Sequence, residues 1–191
     1  NTYYLGAKSV NPDVSIDIIW VNTWYNPVKE GEAAKVLITQ GCDMVAQHTD
    51  SPSPLQVAQK QGVFGFGQAS DQIRFAPKAQ LTATIDDWGP YYIDRVQATI
   101  DGTWKTGDYF GGMIDDDAVG MAPFTNMPAD VAAFAGKIKE GIKNGKYHAF
   151  TGPIVDNTGK LQLKDGEIAS DLHLNTMMYY VKGIDAKVPG S

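Results

Sequence analysis

The sequence predicts an α/β fold built on a mainly parallel sheet, and three observations carry the prediction. Apolar or alternating runs recur at residues 15–21, 43–47, 63–67 and 81–85, each short enough for a strand. Stretches with helical spacing separate most of them. Those stretches carry helix punctuation, with proline or asparagine-proline at the start and glycine at the stop. Strands alternating with helices form β-α-β units, whose strands pair in parallel.

Taken in order, residues 1–10 read as the interior and end of a helix, closed by Asn11 and Pro12 and lacking a start signal. The chain is therefore expected to be a later part of a longer protein. Residues 15–21 alternate and then run apolar, which predicts a strand buried on both faces. After the loop at 22–25, Asn26 is a helix cap with Pro27 at the first helical position. Ala33, Val36, Leu37 and Gln40 follow at helical spacing, and Gly41 stops the helix. Residues 43–47 predict the next strand, 48–53 a polar loop, 54–61 a helix ended by Gly62, and 63–67 a third strand. A fourth strand at 81–85 leads to a helix at 90–100, with Ile93, Val96, Gln97 and Ile100 in register. Short strands are expected at 109–114 and 118–121. An amphipathic helix at 128–144 carries Val131, Phe134, Ala135, Ile138 and Ile142 on one face. Beyond it the pattern loosens: an extended piece at 150–155, a turn at 157–160, and a short helix or strand within 174–181.

Composition narrows the function. A hydrophobic fraction of 43% and a charged fraction of 20% are those of a globular domain. The formal net charge of -6 opposes nucleic-acid binding, which needs clustered lysine and arginine to neutralise phosphates. The single cysteine, Cys42, has no partner for an intramolecular disulfide, and its apolar neighbours at 42–46 predict a buried thiol inside a strand. No apolar run reaches the length of a membrane span. Gly65-Phe66-Gly67 lies in a strand and lacks the third glycine and the following helix of a phosphate loop, so no nucleotide-phosphate site is expected.

Ligands of an open α/β sheet collect beyond the carboxyl ends of its strands, which directs attention to four loops. They hold Asn22, Thr23, Trp24 and Tyr25; His48, Thr49, Asp50 and Ser51; Gln68, Ser70, Asp71 and Gln72; and Asp86, Asp87, Trp88, Tyr91 and Tyr92. A flat indole or phenol face can stack a heterocycle, and a carboxylate can accept from ring N–H, amino or hydroxyl groups. That combination suits a purine better than a phosphate or a lipid. The same side chains also pack ordinary loops, and for Trp24 and Trp88 the two readings weigh about evenly.

Several ordered motifs add a resemblance. Trp20-Val-Asn-Thr-Trp-Tyr-Asn-Pro27, Gln47-His-Thr-Asp-Ser-Pro52, residues 67–71, and Ala79-Gln-Leu-Thr-Ala-Thr with Trp88-Gly-Pro-Tyr-Tyr92 resemble the basic membrane protein family; so does Tyr179-Tyr-Val-Lys-Gly183. The family resemblance implies a type I periplasmic-binding-protein-like fold, in which two α/β lobes close over a ligand at a hinge of three crossings. Residues 1–86 would form most of one lobe. Residues 87–191 would supply hinge crossings, elements of the second lobe and the C-terminal segment. It also implies a purine or nucleoside receptor of an ABC importer, exported as a periplasmic or cell-surface lipoprotein, with a permease as partner. Membrane contact would come only through a lipid anchor or that permease. Trp24 falls where relatives stack an aromatic residue on the base, and Asp71 matches an aspartate that contacts ligand. Asp50, His48, Thr49 and Asn22 complete the expected contacts, with Trp88 and Tyr91 at the hinge. Nucleoside-binding relatives often carry a lysine shortly after the Leu-Thr strand, where this chain has Asp86, Asp87 and Trp88. That departure favours a free base such as adenine.

Other function classes fit less well. His48, Asp50 and Asp71 could serve a nucleoside hydrolase, but no nucleophile elbow accompanies them, and His148 and His173 stand apart. Asp115-Asp116-Asp117 lacks the ligand spacing of a calcium loop. No enzyme activity, cofactor or metal is therefore expected; a ligand-sensing module for a membrane partner is the other alternative.

Overall fold

The computed structural model describes residues 1–107 and 118–190. Along the chain run α1 (Thr2–Val10), α2 (Pro27–Thr39), β1 (Met44–Val45), α3 (Ser53–Gln61), β2 (Phe64–Gly67), β3 (Gln80–Asp86), α4 (Gly89–Ile100), β4 (Val119–Met121), α5 (Ala129–Lys143), β5 (Ile154–Val155), β6 (Leu161–Leu163) and α6 (Asp171–Asn175). The expected strand at 109–114 and the aspartates at 115–117 lie outside the described residues. The chain falls into two compact units, residues 21–146 and residues 1–20 with 147–191. The lobe boundary drawn at 86/87 from the resemblance is a different division, that of a whole two-lobe receptor.

The 21–146 unit contains a four-stranded sheet in the order β1-β2-β3-β4, with the first three strands parallel and β4 antiparallel to β3. The β-α-β rhythm of the sequence is thus the topology. The side chain of Asn26 accepts the Lys29 amide hydrogen to cap α2, and Pro27 opens the helix, as their order requires. Helix α2 packs on α3, and α3 packs on β1 and β2. Leu55 and Ala58 of α3 are fully buried among Ala34, Val45, Ala76 and Ala79. These residues are small, so helix and sheet approach closely. A Cβ on Gly65 would stand 2.8 Å from the Val45 carbonyl oxygen and 2.9 Å from Leu55 Cδ2; one on Gly67 would stand 2.7 Å from Ala83 Cβ. The two glycines serve close packing within the sheet.

Two sequence expectations fail in this part of the chain. Residues 15–21 form no strand: they belong to neither sheet, and Ile16 and Ile18, which lie in the unit of residues 1–20 and 147–191, rest half-buried against that unit's own core cluster. Alternation is a period of burial, and an extended segment satisfies it on one core without a sheet neighbour. Cys42 is half-buried and precedes β1, because pairing with β2 begins only at Met44. The later helices form as expected but stay open. Helix α4 has no buried residue, and Ile93, Val96 and Ile100 are exposed, as are Val131, Phe134 and Ile142 of α5.

The unit made of residues 1–20 and 147–191 gathers Tyr4, Phe150, Ile154, Leu163, Ala169, Tyr180, Val181 and Ile184 into one cluster. The expected turn at 157–160 joins β5 to antiparallel β6, while α6 begins earlier than the 174–181 segment suggested. Asp156 organises that turn. It accepts from the Thr158 hydroxyl at 2.6 Å, the Gln162 amide at 2.6 Å, and the Thr158 and Lys160 backbone amides. The Thr158 and Gln162 side chains, together with those amides, outweigh burial and hold its pKa far below the usual carboxylate range.

Truncating Leu55 to alanine removes buried methyl groups from a helix-sheet contact that has no slack. The variant is expected to lose about 2–5 kcal/mol of stability, read from urea unfolding followed by far-ultraviolet circular dichroism.

Candidate functional site

Because β1, β2 and β3 are parallel, the loops that follow them leave from one end of the sheet. All eight residues singled out from the sequence belong to the 21–146 unit, on or beside those loops. Asn22 is exposed with a φ of 49°, a left-handed conformation that asparagine tolerates better than most residues. Trp24 is 81% exposed, so its indole is not a core packing group. His48 and Asp50 are exposed and Thr49 is half-buried.

Hydrogen bonds join the loops in sequence. The Asp50 amide points to the Trp24 carbonyl at 3.4 Å, linking the 22–25 and 48–53 loops. His48 Nδ1 lies 3.4 Å from the Gln68 amide nitrogen, linking the second loop to the third. The Asp86 amide donates to the Ala69 carbonyl at 3.0 Å, which ties the third loop to the end of β3. Beyond β3, Trp88 meets Tyr91 edge-on at 5.9 Å between ring centroids, and Tyr92 completes the aromatic group. Tyr91 is half-buried and Trp88 half-exposed. The result is a rim of acceptors and aromatic faces around one end of a parallel sheet.

Two supports beneath that rim were not singled out from the sequence. Glu30, only 1% exposed, accepts from the Asn26 amide at 2.6 Å, from the Ser51 amide at 3.2 Å and from the Ser51 hydroxyl. Burial alone would raise its pKa. The bonds from the Ser51 hydroxyl and from the Asn26 and Ser51 amides more than offset that effect and hold it below the ordinary carboxylate value. The second support is a set of buried glutamines, Gln47, Gln72 and Gln80, which connects Thr49 to Asp71. A polar residue inside an apolar strand is the signal that could have found Gln80, which stands between Ala79 and Leu81.

The Glu30 arrangement sets a pH dependence. A carboxylate with a depressed folded-state pKa contributes stability above its unfolded value, and that contribution is lost as pH falls through the folded value. The wild-type protein is expected to lose more stability than Glu30→Gln between neutral pH and about pH 3, in paired urea titrations. Equal losses would remove Glu30 from the account.

The chain is 53% identical over 189 residues to a purine-binding protein of Brucella abortus, covering 99% of this chain and 54% of that one. It is 29% identical to a protein of Haloferax volcanii provisionally named as an ABC transporter glucose-binding protein, covering 99% of this chain and 46% of the relative. The chain thus spans about half the length of the curated relatives it matches. Among solved structures, an ABC transporter solute-binding protein from Conexibacter woesei superposes with a TM-score of 0.57 at 21% identity, over 75% of this chain and 49% of that one. These resemblances support the α/β, periplasmic-binding-protein-like fold. Residues 1–149 match the model of the PnrA-like ABC transporter substrate-binding proteins, and the chain belongs to this Bmp family.

Proposed function

We propose that the chain is the later part of a solute-binding receptor for an ABC importer, and that its ligand is a purine base or nucleoside, with adenine favoured. The observation that carries the reading is Trp24, an indole left 81% exposed beside the hydrogen-bonding rim of a family whose 53% identical member is named a purine-binding protein. A large aromatic face kept in water at the loop end of a parallel sheet is suited to stacking a flat heterocycle. Asp71, Asp50, Thr49 and His48 supply polar contacts to its edge, and Asn22 shapes the loop that carries Trp24. Trp88 and Tyr91 lie at the start of α4, where the chain would pass toward the second lobe.

In the whole protein, residues 1–86 would contribute most of one lobe and residues 87–191 the hinge crossings and parts of the other. Lobe closure would bury the ligand and present a surface to a permease in the membrane. Such receptors act outside the cytoplasm, and this one would lie in the periplasm or on the cell surface, held there by a lipid anchor. Among the described residues no helix is long and apolar enough to cross a membrane.

Calorimetric titration of adenine, adenosine, guanosine and glucose into the full-length protein tests the reading, with chromatography of the mixtures for product. Saturable purine binding without turnover is expected. Trp24→Ala is expected to weaken it by about 1–3 kcal/mol, the worth of one base-aromatic stack. Glucose binding alone, or product formation, would overturn the assignment.

A further inference from the structure

The buried glutamines under the rim have fixed amide orientations, because backbone groups set them at two points. Gln80 Oε1 accepts from the Gln72 backbone N–H at 3.0 Å, and a backbone N–H can only donate. The other end of that side chain must then be its NH2, and it donates to Asp71 Oδ1 at 2.7 Å. The Gln72 side chain is set in the same way. Its NH2 points to the Gln68 backbone carbonyl at 3.3 Å, which can only accept, so Gln72 Oε1 receives the Gln47 NH2 at 2.9 Å. Gln47 Oε1 is left to accept the Thr49 hydroxyl proton at 3.0 Å. Gln47, Gln72 and Gln80 are 8%, 5% and 1% exposed, so water does not compete freely for these bonds.

The outcome appears at the two ends of the chain of bonds. Asp71 Oδ1 is occupied by the Gln80 amide and the Ile73 backbone N–H, at 2.7 and 3.0 Å. Its Oδ2 has no hydrogen bond among the described residues, and the side chain is exposed. Thr49 has spent its only proton inward and keeps lone pairs for a ligand. Both ends are held as acceptors.

We propose that this glutamine relay is a specificity device: by fixing Asp71 and Thr49 as acceptors it selects a ligand edge that carries hydrogen-bond donors, the amino edge of an aminopurine. The proposal rests on the purine reading of the site. A site built to accept from N–H groups leaves its acceptors unpaired against an isostere without them, and discrimination is correspondingly large. Gln47, Gln72 and Gln80 are positioning residues in this scheme, acting through Thr49 and Asp71.

The test compares adenine with 6-methylpurine, which has the same outline but no amino donors, in the full-length protein and its Gln80→Met and Gln47→Met variants. Wild-type protein is expected to prefer adenine by about 100-fold or more, and each variant to cut that preference by about 10-fold. A purely structural role would weaken both ligands alike and leave the ratio unchanged, which would overturn the relay while leaving the purine reading intact. If wild-type protein binds neither these bases nor adenosine or guanosine, the purine reading falls and the specificity claim falls with it; nucleoside binding with no preference for adenine over 6-methylpurine would overturn the specificity claim alone. Side-chain amide exchange by NMR checks the relay without ligand or variant. The Gln47, Gln72 and Gln80 NH2 groups should exchange far more slowly than that of exposed Gln56, and equal rates would overturn the relay.

Discussion

The carboxylate of Glu30 is the constraint on which the loop end of the sheet depends. It sits in the first turn of α2, where the helix dipole favours negative charge, and it is almost wholly buried. A buried carboxylate is costly unless hydrogen bonds replace its water, and here they come from both sides. One comes from the Asn26 amide at the close of the Trp24 loop; the others come from Ser51 at the close of the His48–Asp50 loop. Together with the Asp50 to Trp24 backbone contact, this side chain joins the two loops to each other. The same Asn26 caps α2 through its side chain, so the helix start and the loop junction are one structure.

Above that junction the rim is built in layers. Small residues and paired glycines bring α3 down onto the sheet, which leaves little room for side chains between β1, β2 and β3. Polar groups buried at their carboxyl ends must therefore satisfy one another, and the glutamines do so with fixed polarity. Thr82, Thr125 and Asn126 do similar service on the β4 side, bonding the Ala122 and Gln80 carbonyls. The loop side chains that face water rest on a polar layer that is satisfied beneath them.

Much of this was legible in the sequence, for identifiable reasons. Helix punctuation is local chemistry, so Asn26-Pro27 and Gly62 marked α2 and α3 closely. The parallel sheet followed from the alternation of elements, and the loop positions of His48, Asp50 and Asp71 followed from the sheet, whereas Trp24 was placed in a loop after a strand that does not form. Residues 15–21 misled because a period of two reports which side chains are buried and says nothing of who pairs with the backbone. Cys42 misled for a related reason: apolar neighbours do not fix where a ladder begins. Glu30 reads in sequence as one more charged residue on a helix, since its partner Ser51 is 21 positions away. The glutamine relay is likewise a product of tertiary packing, since its Gln47–Gln72 bond spans 25 positions, beyond any window of local pattern.

The four tryptophans share a property that bears on how the protein can be observed. Trp20, Trp24, Trp88 and Trp104 are 54%, 81%, 50% and 55% exposed, and none is enclosed by the core. Indole emission moves to longer wavelength when water surrounds the ring, and here water already does. Unfolding therefore changes the surroundings of these rings little, and intrinsic fluorescence will report the folding transition poorly. A molecule settling on Trp24 would exclude water from the most open ring of the four. With a ligand stacked there, light emitted by this protein would be a signal of occupancy more than of integrity.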